Sequence, residues 1–119
     1  ASTGEAERAT LIERYLSREH RDAPGDGCTL AALSADAARQ PEEIKAVFAQ
    51  GMERLLAKAT PGEPDADEVT QQTARAERIN ALAHLVGALM LSRACPDDSA
   101  LADEILETCR AHALARVEG

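Results

Sequence analysis

The chain has 119 residues, one Tyr, one Phe, no Trp and a formal net charge of −8. That length predicts a single domain with a core large enough to hold without disulfide staples. The abundance of Ala, Leu, Glu and Arg, with few β-branched or aromatic residues, predicts an all-α fold. The acidic balance, with no run that concentrates Lys or Arg, excludes a nucleic-acid-binding surface on this chain. No apolar stretch reaches the roughly eighteen residues of a membrane span, and neither a signal peptide nor a membrane contact is expected. Cys28, Cys95 and Cys109 lie far apart and read as reduced thiols of a cytoplasmic protein. The chain opens Ala-Ser-Thr-Gly without Met, which fits either Met removal or a fragment of a longer protein.

Proline and glycine divide the chain into about five helical segments. The first, about Thr3 to Glu19, carries Ala9, Ile12 and Leu16 on one stripe with Leu11 and Tyr15 beside it. The charged triplet His20-Arg21-Asp22 follows, then a Pro24-Gly25-Asp26-Gly27 corner and Cys28. A short second segment, about Thr29 to Arg39, places Leu30, Leu33 and Ala37 on one face. Pro41, Glu42 and Glu43 suit the first turn of a third segment reaching Ala59, which aligns Ile44, Phe48, Met52 and Leu55. Pro61-Gly62-Glu63-Pro64 stops it. The fourth segment, about Asp67 to Ala94, is the longest, roughly 40 Å at 1.5 Å per residue. A tight Cys95-Pro96-Asp97-Asp98 turn leads to the fifth, about Ser99 to Val117, with Asp98 or Ser99 as its cap. So short a turn makes the last two segments an antiparallel hairpin.

Within the fourth segment, DEVTQQTARAER is polar, whereas INALAHLVGALMLSRA is apolar almost all the way round and must be covered on every side. Short neighbours from one small domain cover about half of it. Ala83, Val86, Gly87 and Met90 form a stripe that lets another helix approach closely, and Leu101, Ile105 and Cys109 offer a matching one. Two such hairpins about a two-fold axis would build a four-helix bundle burying on the order of 1,500–2,000 Å². The expectation is a homodimer; the alternative is a helix central to its own core.

Candidate chemistry is sparse. His20, Asp22, Asp26 and Cys28 are metal-capable, but their spacing fits turn, cap and packing roles more simply. Cys109 and His112 share a helix face as half a metal site with no second pair to complete it. Asp65-Ala-Asp67 lacks the glycine and terminal Glu of a calcium loop. No nucleophile turn or phosphate loop is present, so neither an enzyme, a metal nor a cofactor is expected. His84 and Asn80, one turn apart in the apolar stretch, need polar partners if buried: side chains, a dimer mate or a small molecule. Tyr15, Phe48, Met52, Asn80 and His84 are the residues chosen, from helix faces, to line a ligand pocket.

YLSREHRDAPGDGCTLAAL, IKAVFAQGMERLL, ALAHLVGALMLSRA and LADEILETCR, in this order and spacing, resemble the C-terminal regulatory domain of TetR-family transcriptional repressors over about Leu11 to Leu114. The resemblance implies an all-helical homodimer that binds a small inducer and dimerises through its last two helices. It further implies a helix-turn-helix domain ahead of this one that binds operator DNA, for which nothing before Tyr15 has room; residues 1–119 are then the regulatory half alone. The His-Arg-Asp stretch corresponds to a corner between helices. The competing expectation is a free-standing helical module whose apolar hairpin binds another protein without a ligand.

Overall fold

The computed structural model describes residues 3–23, 36–59 and 67–118. Among them the chain is helical without strands: α1 (Thr3–Tyr15), α2 (Arg18–Asp22), α3 (Glu42–Ala59), α4 (Glu68–Ala94) and α5 (Ala100–Glu118). The all-α expectation is met, with one change of boundary. The first helix does not run to Glu19; it stops at Tyr15, and Ser17 opens a separate short helix. Ser17 is extended, with φ −90° and ψ 159°. Its Oγ donates to the Arg14 carbonyl at 2.7 Å and accepts from the His20 N–H at 3.1 Å. One hydroxyl thus satisfies the end of one helix and the start of the next. The Pro24–Gly27 corner, Cys28 and most of the expected second segment lie outside the described residues.

The other boundaries follow local chemistry. The Pro41 carbonyl accepts from Ile44 and Lys45 at the head of α3, which has Glu42 and Glu43 in its first turn. Asp67 Oδ1 accepts the Thr70 N–H at 2.7 Å and caps α4. Between α4 and α5, Ser99 Oγ accepts the Leu101 N–H at 3.1 Å, so Ser99, of the two candidates, is the cap. A Ser99 N–H to Pro96 carbonyl bond at 3.0 Å closes the turn. The two helices pack closely as a hairpin, with Ser92 Oγ of α4 donating to the Ala102 carbonyl of α5 at 2.9 Å.

The described residues fall into two compact units, 3–23 with 84–118 and 36–59 with 67–83. In the first, α1 lies along α5, and Leu16, Ala88, Leu89 and Leu106 form the buried cluster. Tyr15, Leu85, Val86, Ile105 and Cys109 pack around it. Ala88, Ala102 and Ala113 are buried too, and alanines at these positions let backbones approach closely. Each buried leucine contributes about 1.5–3 kcal/mol of transfer free energy.

In the second unit the inward strip of α3 is Phe48, Gly51, Met52 and Leu56, of which Leu56 is buried and the others half-buried. This corrects the expected Ile44–Phe48–Met52–Leu55 alignment: Ile44 and Leu55 are exposed. Spacing of three and four residues allows both strips, and Leu56 rather than Leu55 follows Phe48 and Met52 at the four-residue step. Arg75 of α4 meets Glu53 of α3 at 2.6 Å. No described helix is long and apolar enough to cross a membrane.

Candidate functional site: a charged corner and an uncovered hairpin face

The most elaborate polar assembly is built by the triplet His20-Arg21-Asp22. Arg21 is only 3% exposed. Its Nε donates to Ser92 Oγ at 2.8 Å and its Nη2 to the Ser92 and Cys95 carbonyls at 2.7 and 2.9 Å. Its Nη1 meets Asp22 Oδ1 at 2.8 Å and Asp97 Oδ1 at 3.0 Å. A buried guanidinium survives only if its donors are met, and here each nitrogen has an acceptor. Burial pulls the Arg21 pKa down, but the hydrogen bonds to Asp97 and Asp22 outweigh it and leave the pKa raised.

Around it, Arg18 joins Asp22 and Asp103 at 2.9 Å each and also donates to the Asp97 carbonyl. Arg93 donates back to the Arg21 and His20 carbonyls at 3.1 and 3.0 Å, and Arg110 to the Leu16 carbonyl at 2.8 Å. The guanidiniums of Arg18 first, then Arg21, hold the Asp22 carboxyl below the usual carboxylate range. Asp22 was expected as a turn or cap acceptor; it is instead an ion-pair partner. A hollow of about 360 Å³ beside these groups is lined by Arg21, Asp22, Arg93 and Asp97. Its charged groups are already engaged, Arg21 with Asp22 and Asp97 and Arg93 with backbone carbonyls, which suits a clamp rather than a reaction site.

The expected pocket residues are placed as follows. Tyr15 is half-buried and its ring lies 4.8 Å from that of His20, whose Nδ1 is 2.7 Å from the Tyr15 carbonyl oxygen. Phe48 and Met52 are half-buried on α3. His84 is half-buried, with Nε2 3.3 Å from the Cys109 carbonyl. A carbonyl can only accept, so that contact places the imidazole proton on Nε2. The His84 ring also lies 5.1 Å from that of His112. His84 therefore has its polar partner within the hairpin. Asn80, which would need such a partner if buried, is exposed.

Cys109, His112 and His84 gather at one level of the hairpin, which completes more of the half-site than α5 alone suggested. Among the described residues, however, no three His, Cys, Asp or Glu are placed to hold a metal ion. Cys95 and Cys109 are unpaired thiols.

The expected dimer residues divide by face. Val86, Ile105 and Cys109 are half-buried against the core cluster, whereas Ala83, Met90 and Leu101 are exposed. Ile79 and Leu91 extend the exposed strip, with Leu91 62% and Leu101 52% accessible. Gly87 is half-buried, yet a Cβ built on it would meet nothing within 4 Å. The second half of α4 is thus covered on the side of Ala88, Leu89 and Ser92 and uncovered on the other. Sequence reasoning gave Arg21 no role of its own. The signal that could have found Arg21 was Ser92, a lone hydroxyl in an apolar stretch that needs a polar partner. No family model, curated protein or solved structure matches the chain.

Proposed function

We propose that this chain is the small-molecule-sensing and dimerisation domain of a TetR-like transcriptional repressor. The observation that supports it best is the two-sidedness of the α4–α5 hairpin: Ala88, Leu89 and Leu106 close a core while Ala83, Gly87, Leu91 and Leu101 stay on an open outer face. Small residues on that face suit a second helix pair at close range, and the four quoted motifs resemble the family in order and spacing. The homodimer forms by the two-fold stacking of these hairpins. In the intact repressor, an inducer that binds one arrangement of the two DNA-binding heads more tightly than the other shifts the equilibrium between them and releases the operator.

The reading frame of the gene tests this reading. A helix-turn-helix encoded directly upstream of Ala1 supports the repressor. A start codon immediately before Ala1 would sink it and favour a free-standing interaction module using the same apolar face.

A further inference from the structure

Every described arginine with buried nitrogens finds acceptors except one. Arg21 and Arg93 are tied into the corner, Arg110 reaches a carbonyl and Arg75 reaches Glu53. Arg78 of α4 is half-buried, and its Nε and Nη1 are buried without a hydrogen-bond partner. Its own helix offers none: the positions three and four residues away hold Ala74, Arg75, Ala81 and Leu82, without one carboxylate. Arg75, one turn before it, is committed to Glu53 of α3. A guanidinium that keeps donors out of water and away from acceptors is poised for an anion, which it binds with charge-assisted hydrogen bonds.

The same unit supplies an apolar surface. Phe48 and Met52 on α3 are half-buried rather than enclosed, and Gly51 lies between them. A Cβ built on Gly51 would meet only the Arg54 guanidinium, at 4.0 Å, so the strip is open at its middle. An interior helical glycine lowers helix stability, which is compensated where backbone must leave room.

We propose that Arg78 anchors the acid group of an organic anion, a carboxylate on an apolar body that packs against Phe48 and Met52. This rests on the reading of the chain as a sensor domain and specifies the chemical class that it senses. A single positive anchor in an apolar setting selects an acid over its neutral isostere, because only the acid brings a negative charge to match the guanidinium and strengthen the hydrogen bond.

The test is calorimetric titration of the whole chain at neutral pH with octanoate and with octanamide, its uncharged isostere, on wild type, Arg78→Met and Arg78→Lys. The expected result is octanoate binding at least tenfold tighter than octanamide in wild type. Arg78→Met should erase that preference, and Arg78→Lys should restore part of it. Arg78→Met should also melt no lower than wild type, since it removes donors that nothing in the protein satisfies. Equal affinity for the two probes, absent octanoate binding, or a large fall in the Arg78→Met melting temperature would each overturn the proposal. Equal, measurable binding of both probes leaves the sensor reading standing; the upstream reading frame judges that reading separately.

Discussion

Arg21 connects the short helix α2 to the last turn of α4 and the turn beyond it with hydrogen bonds that no other side chain could supply together. Replacing it by Ala removes at one stroke the donors to Ser92 Oγ, to the Ser92 and Cys95 carbonyls and to Asp97, so Arg21→Ala should destabilise the fold by about 3 kcal/mol in urea unfolding. A loss below about 0.5 kcal/mol would show that the clamp does not hold the corner. Acid acts on this corner and, separately, on the cap of α4. The Asp22 carboxyl, paired with Arg18 and Arg21, and the Asp67 carboxyl, accepting from Thr70, both titrate below their ordinary value. Stabilisation from a depressed carboxylate is fully present above its unfolded pKa, about 3.9, and is lost as pH falls through the folded one. Melting temperature should therefore fall below about pH 4, and Asp22→Asn should flatten that fall relative to wild type. An identical acid limb in the variant would contradict the ion pair. The Arg21 clamp was not legible beforehand, because Arg21 and its partners Ser92 and Asp97 are more than seventy positions apart. Periodicity sees one helix at a time.

Helices were the most legible level. Pro41, Asp67 and Ser99 mark starts through chemistry local to a few residues, and the third, fourth and fifth segments fall within a residue or two of their expected bounds. The miss at Tyr15 has a local cause as well: Ser17 satisfies backbone groups on both sides, competing with helix continuation. Choosing Leu55 over Leu56 was an ambiguity of spacing that only a packed neighbour resolves. Two substitutions probe this level. Ser99→Ala removes the cap of α5 and should cost about 1 kcal/mol, measured by chemical denaturation. Leu89→Ala, at a fully buried site where α4 meets the core cluster, should cost about 2–5 kcal/mol. A smaller effect from Leu89 than from Ser99 would mean that the cluster is not the centre of its unit.

For the whole molecule, the consequential feature is the apolar face left on the hairpin. The sequence shows that the second half of α4 is too apolar to be half-covered, and the structure shows which half the chain covers. The candidate residues were legible only in part: helix faces put His84 and Phe48 at positions that are half-buried, whereas Asn80 lies exposed and nothing in the pattern marked the unpartnered Arg78 nitrogens. An arginine amid ERIN reads as solvated until its surroundings are known.

Gly87 offers the cleanest probe of the uncovered face, since a Cβ there meets nothing within 4 Å. Gly87→Glu should leave the protomer folded while placing a charge on the expected two-fold contact. The measurement is sedimentation equilibrium of wild type and Gly87→Glu across a range of concentrations. Hairpin dimerisation predicts twice the 12.6 kDa chain mass for wild type and a single chain mass for the folded variant. A wild-type chain that stays at 12.6 kDa into the tens of micromolar, or a variant that dimerises as well as wild type, would contradict it.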